Sequence, residues 1–277
     1  MSRSRQGDGG LSKTRADTAC CPIVDVMGFP LWAVDSDGLI RLMLDRATAG
    51  VRCRVGYVNA HVWNLARRDP AFREVLLGTD ILYADGMSFI WAGRLLGVPL
   101  PARLSAADYI VDFARGCRSR GLSVYLLGGR VGVADRAGER LCRLVPGLKV
   151  VGTADGHFDL SEGPAVIDRI NRLRPDVLLV GMGSPRQETW AASNRDALTP
   201  PVVWMVGALF DYLAGAESRA PGWMCRMGLE WLFRLAMDPR GKASRYLWGN
   251  PAFAGSVIGC CLRRAIRRGE PSKAGAV

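Results

Sequence analysis

From about Ile23 to Gly215 the chain alternates short, continuous apolar runs with longer segments whose apolar residues recur every three to four positions. The short runs are Arg54–Asn59, Asp80–Ala84, Ser123–Gly128, Leu148–Gly152, Asp176–Gly181 and Val202–Gly207. Each ends in, or is followed by, Gly, Asn or Asp, which marks a strand stopped by a turn. Between them, Val131 to Val145 sets Val133, Ala137, Leu141 and Leu144 on one helical face. Gly163 to Leu173 does the same through Val166, Ile167, Ile170 and Leu173. Strands that are apolar on both faces, alternating with helices, predict an α/β fold: a parallel sheet covered by helices on both sides.

Ligands of such sheets bind at the carboxyl ends of the strands. The residues that follow the apolar runs are Asn59, Asp85-Gly86, Gly128-Gly129, Asp155-Gly156, Gly181-Met182-Gly183-Ser184 and Gly207. An edge so rich in glycine and short polar side chains suits a phosphorylated sugar or a nucleotide.

Past Arg219 the pattern changes. Trp223, Met224, Met227, Trp231, Leu232, Leu235 and Ala236 form an apolar helical stripe, which Asp238-Pro239 ends. Tyr246, Leu247, Trp248, Phe253, Val257 and Ile258 then lead into an arginine-rich end. The chain carries a net charge of +11, and residues 222–277 hold ten basic side chains against three acidic ones. This fifth of the molecule thus supplies more than half of the net charge. A basic, aromatic, amphipathic segment suits an anionic membrane surface, with Trp223, Trp231, Trp248 and Phe253 expected in the headgroup region and Arg263, Arg264, Arg267 and Arg268 on anionic lipid. The expected organisation is a tail over 1–21, an α/β core over 22–218 and a helical appendage over 219–277.

Other classes are disfavoured. The first residues lack the apolar core of a secretory signal, and Pro251 to Leu262 is too short to span a bilayer. Eight scattered cysteines with no C-x-x-C pair read as reduced thiols of a cytosolic protein rather than a zinc site or disulfide frame. A nicotinamide-dependent oxidoreductase would need G-x-G-x-x-G with an acid about 20 residues on, and neither occurs in order. Nucleic-acid binding would interleave basic and aromatic residues on one surface. Here the charge follows a tryptophan-bearing apolar stripe, so no nucleic-acid partner is expected.

Several residues allow two readings. Gly128-Gly129-Arg130-Val131-Gly132 is an anion site or a tight turn. Ser184-Pro185-Arg186-Gln187 is an N-cap, an N1 proline and a capping box, or a place for a donor's sugar or diphosphate. Asp85 is a helix cap or a general base with a raised pKa. Asp35-Ser36-Asp37, the chain's only D-x-D, reads as a turn with a helix cap rather than a metal site. His61 and His157 read as local polar contacts.

Taken together, the motifs resemble the WecG/TagA/CpsF glycosyltransferases (glycosyltransferase family 26) from about Met27 to Tyr246. The matching strings include Tyr57-Val58-Asn59, Ala84-Asp85-Gly86, Leu127-Gly128-Gly129 and Gly181-Met182-Gly183-Ser184-Pro185-Arg186-Gln187-Glu188. They continue through Gly207-Ala208 and Phe210-Asp211 to Gly228-Leu229-Glu230-Trp231-Leu232-Phe233-Arg234. The resemblance implies a Rossmann-like sheet and a metal-independent, inverting transfer from a UDP-sugar to a polyprenyl-diphosphate-linked saccharide, with no cofactor. It implies a peripheral enzyme on the inner face of the cell membrane. The general base falls on Asp85, and donor contacts fall on Asn59, Arg103, Gly128, Gly129, Gly183 and Gln187. The appendage arginines for the diphosphate fall on Arg234, Arg240 and Arg245. Tyr57 stands where the family often has Thr, and Ala106 where it usually has Gly.

Overall fold

The computed structural model describes residues 21–159 and 162–269, with side chains to Ile266. The expected tail, apart from Cys21, lies outside these residues, as do the side chains of Arg267 and Arg268. The described chain opens with an antiparallel hairpin, β1 (Ile23–Val26) and β2 (Phe29–Trp32). The sequence pattern did not reveal it, because each strand is only four residues long and Pro30 sits inside the second. The turn is Met27-Gly28, both at positive φ, as a two-residue hairpin turn requires.

Helix α1 (Ser36–Thr48) follows, capped by Asp35, whose carboxylate accepts from the Gly38 amide at 2.8 Å. The D-x-D is therefore a turn and cap, as expected. The chain then runs β3 (Cys53–Val58), α2 (Ala60–Arg68), α3 (Pro70–Leu77), β4 (Ile81–Ala84), α4 (Met87–Leu95) and α5 (Ala106–Ser119). After these come β5 (Ser123–Gly128), α6 (Val133–Leu144), β6 (Lys149–Ala154), α7 (Gly163–Leu173), β7 (Val177–Gly181), α8 (Arg186–Ser193), β8 (Val202–Met205) and α9 (Leu209–Leu213).

Strands β3 to β8 form one six-stranded parallel sheet in the order β4-β3-β8-β7-β5-β6. Alternate residues feed opposite layers, as the pleat dictates. Val124 and Leu126 of β5 pack with α1, α5 and α6, while Tyr125 and Leu127 face a core shared with α7 and α8. At the β4 edge a third cluster joins the hairpin to α2, α3 and α4 through Phe29, Leu31, Phe72 and Phe89. The parallel sheet with helices on both faces is thus as the periodicity predicted. The strand order sets β4, β3 and β8 side by side, so the residues that follow them, Asp85, Asn59 and Gly207, share one end of the sheet, where ligands of such sheets bind.

Beyond α9 lie α10 (Gly222–Arg226), α11 (Glu230–Met237), α12 (Pro239–Ala243), a π-helical turn over Ser244–Trp248, and α13 (Gly249–Gly269). The expected single apolar helix from Trp223 to Ala236 is instead two, broken at Gly228. That residue has φ +72°, and a Cβ on it would meet the Trp91 ring at 2.4 Å. Asp238 ends α11 and caps α12. Phe253 is not at the surface: with Val257 it is buried against Trp63 and Phe89. Among the described residues, no helix is long and apolar enough to cross a membrane.

Candidate active site

Asp85 lies one residue past β4, and its backbone extends the sheet by a parallel bridge to Leu104. The Leu104 amide donates to Ala84 O at 3.3 Å, and the Gly86 amide donates to Leu104 O at 3.4 Å. This bridge carries Arg103 to the sheet edge beside Asp85. The cap reading of Asp85 fails: Gly86 is the N-cap of α4, and no side chain caps it. What holds the carboxylate is Asn59, one residue past β3. Its Oδ1 caps α2 by accepting from the Val62 amide, and its Nδ2 donates to Asp85 Oδ2, each at 3.0 Å. Burial pushes the Asp85 carboxyl up to about 6, with Glu230 adding to the rise and Asn59, Arg234 and Arg103 opposing it. A carboxylate tuned to that range is ionised at neutral pH and basic enough to take a proton.

Asp85 and Asn59 open on a cavity of about 640 Å³, which Tyr57, Arg103, Gly183, Arg234 and Arg245 also line. A lattice of charges closes one side. Arg103 pairs with Asp108 and, at 3.9 Å, with Glu230. Arg219 pairs with Asp108 and donates to Ala107 O. Glu230 in turn binds Arg234 one helical turn on, at 2.6 Å. Burial works against the Arg234 charge, yet Tyr212 and Glu230 around it leave its pKa raised, so it stays a cation. Arg245 lies over the Tyr246 ring, and its buried Nε has no hydrogen-bond partner. Such a donor calls for an acceptor, and a diphosphate oxygen would supply one. Beside it, burial and the Arg245 charge lower His61 to about 4, so this cavity-lining ring is neutral.

The chain matches the family model for glycosyl transferases of the WecG/TagA/CpsF family over residues 24–267. It belongs to that family. Similar proteins carry the name N-acetylglucosaminyldiphosphoundecaprenol N-acetyl-beta-D-mannosaminyltransferase. The one from Bacillus spizizenii is 29% identical over 174 residues, 63% of this chain and 67% of the relative. The Bacillus subtilis protein is 26% identical over 67% of this chain and 72% of its own length. That of Staphylococcus aureus is 29% identical over 65% and 70%. The molecule is a glycosyltransferase.

The other site residues expected of this WecG/TagA/CpsF glycosyltransferase are placed as follows. Gly183 faces the cavity at φ +74°, with nothing within reach of a Cβ. Gln187 does not reach the cavity. It is fully buried: its Oε1 accepts from the Gly207 amide at 3.0 Å, and its Nε2 donates to Glu188 and to the Tyr57 hydroxyl. The capping box is absent too, because α8 starts at Arg186 and the Ser184 hydroxyl donates to Glu188 Oε1 instead. Buried Glu188 outcompetes the helix end for both neighbours. Gly128 and Gly129 also lie off the cavity. A Cβ on Gly128 would sit 2.3 Å from Gly181 O, and the Gly129 amide donates to that same carbonyl. Both glycines thus sit where the backbone passes close to that of Gly181. Arg240 is exposed and does not line the cavity.

Sequence reasoning missed Glu230, which joins the cation from the core to the cation from the C-terminal helices. The only local signal was its four-residue spacing from Arg234. Tyr57 and Ala106, the two departures from the family pattern, both line the cavity. Among the described residues, no group of three or more His, Cys, Asp or Glu is placed to hold a metal ion.

Proposed function

We propose that the protein transfers an N-acetylhexosamine-type sugar from a UDP-sugar to a polyprenyl-diphosphate-linked saccharide, with inversion and without a metal, in the synthesis of a bacterial cell-surface polysaccharide. The observation that carries this reading is the buried Asp85 carboxylate, oriented by Asn59 and raised to about 6, in one cavity with Arg103, Arg234 and Arg245. Asp85 takes the proton of the acceptor hydroxyl as that oxygen attacks the anomeric carbon from the face opposite UDP. The new C–O bond forms as the bond to UDP breaks, its electron pair leaving with the diphosphate. One displacement inverts the centre. Arginine charge answers the diphosphate charge that a metal ion meets in other transferases. Gln187 serves from behind, holding the Gly207 amide and the hydroxyl of Tyr57, both residues of the cavity lining.

The enzyme would work as a peripheral protein on the inner face of the cell membrane, where a lipid-linked acceptor lies. Trp223 and Trp248 are 53% and 76% exposed and, with Arg263 and Arg264, fit an anionic lipid surface. The test is UDP release from a panel of UDP-sugars with a GlcNAc-diphosphate-prenyl acceptor. Asp85→Asn is expected to lose about 10²–10⁴ of the rate, the usual weight of a general base, while EDTA leaves the wild-type rate unchanged. Full turnover in the variant would remove Asp85 from the chemistry. A collapse in EDTA rescued by Mg²⁺ or Mn²⁺ would remove metal independence.

A further inference from the structure

The cavity that holds Asp85 does not end at its polar half. It continues between α4 and α13, where the lining is hydrocarbon. On α4 the lining positions Met87, Trp91 and Leu95 are spaced four apart, so they stack along one face. On α13 the lining positions Ala254, Val257 and Ile258 form a matching face. At 1.5 Å per residue, the α4 wall runs about 12 Å away from Asp85. The two helices run outward side by side. Towards the near end, the Phe89 ring of α4 meets the Phe253 ring of α13 with centroids 5.4 Å apart. At the far end, Cys261 Sγ lies 3.9 Å from Leu95 O, and an Arg264 guanidinium N–H donates to Leu96 O at 2.5 Å. The far end is open, with Leu95 68% and Ile258 60% exposed. Neither the general base nor the diphosphate arginines require this limb.

We propose that the α4–α13 groove holds the first isoprene units of the lipid-linked acceptor, between its diphosphate and the bilayer. The inference rests on the acceptor class proposed above. In such an acceptor a sugar hydroxyl, a diphosphate and a hydrocarbon chain are joined in that order. One continuous cavity offers a carboxylate, three arginines and an apolar wall, and covalent linkage lets one molecule meet all three. Nothing else about a nucleotide sugar would need the hydrocarbon wall. Each methylene removed from water there strengthens binding by roughly fourfold at most.

The experiment uses the full chain and two water-soluble acceptors bearing the same sugar diphosphate, one with a two-isoprene chain and one with a methyl group, without vesicles or detergent. Wild-type KM is expected to be lower for the prenyl acceptor by about tenfold or more. Ala254→Trp fills the groove from an exposed position without adding polarity. It should raise KM for the prenyl acceptor about tenfold, leaving kcat/KM for the methyl acceptor and co-sedimentation with anionic vesicles unchanged. Ile258→Asp, also at an exposed position, should show the same chain-selective loss by wetting the groove. Equal wild-type KM values, or an equal effect of Ala254→Trp on both acceptors, would overturn the groove. So would a variant altered only in sedimentation, which would make this limb a bilayer-facing surface. A wild-type enzyme silent on both acceptors would instead overturn the acceptor class, a result distinct from an active enzyme indifferent to the chain.

Discussion

The parallel sheet and the helices beyond Arg219 are stabilised by different physics. In the sheet, Val55, Leu126, Val180 and Trp204 are wholly buried, and burial of apolar area holds the layers together. Helices α11 and α12 contain no buried residue. They are tied down by Glu230 with Arg103, by Lys242 with Glu217 at 3.0 Å, and by Arg234 over Tyr212. These side chains are only 16–37% exposed, so the cost of taking their charges out of water offsets much of what each pairing contributes. Helix α13 differs again, since Phe253 and Val257 sink between α2 and α4. The C-terminal fifth is therefore an apolar anchor joined to a charged strap over the site. The strap supplies cations to the cavity at small cost to the stability of the whole.

The strongest way to break this contrast is Phe253→Ala. Removing a 6%-exposed ring that contacts Trp63 and Phe89 should destabilise the protein by about 3–5 kcal/mol in denaturant unfolding. A loss below about 1 kcal/mol would mean that α13 is not an anchor. Next in size is Glu230→Gln, which leaves Arg103 and Arg234 without their shared carboxylate. Its kcat/KM should fall about 10–100-fold through misplaced cations, with a loss of unfolding free energy of about 1–2 kcal/mol from the charges left unpaired, well short of that of Phe253→Ala. A drop in stability equal to that of Phe253→Ala would place Glu230 in the core architecture instead.

Asp85→Asn sharpens the comparison from the sheet side. Because the folded carboxyl is raised to about 6, above its unfolded value near 3.9, the native state holds the proton more tightly. Stability from this group is complete below the unfolded pKa and is lost as pH rises to about 6. The neutral amide should therefore stabilise the protein at pH 8 by about 1–3 kcal/mol, and much less at pH 4, by thermal or chemical melts. A destabilised variant at pH 8 would mean that the carboxylate is held by more than Asn59. The smallest effect belongs to Trp248→Ala, at a 76%-exposed site: less than about 0.5 kcal/mol in solution, yet a clear drop in sedimentation with anionic vesicles.

Much of the fold could be read before the structure, because a two-sided parallel strand writes its burial on every residue. All six sheet strands fall within two residues of their apolar runs, and α7 falls where Gly163 to Leu173 predicted it. The hairpin escaped because eight strand residues carry little periodicity. The break at Gly228 escaped because its cause, the ring of Trp91, is 137 positions away in sequence. The site shows the same division. Asn59 and Asp85 stand out in the sequence by their place after strands, and both line the cavity, whereas the pairing of Arg103 with Glu230 is purely tertiary. The capping reading of Gln187, offered beside the donor contact, failed for a related reason. Local rules favoured the helix end, and buried Glu188 with the Gly207 amide turned the side chain inward.

The most direct test of the central claim is the pH profile of kcat/KM for wild type and Asp85→Asn, measured as UDP release. If Asp85 is the general base, wild-type kcat/KM falls tenfold per pH unit below about 6, and the residual activity of Asp85→Asn lacks that limb. A wild-type profile that stays flat from pH 8 to well below 6, or the same acidic limb retained in Asp85→Asn, would contradict the account.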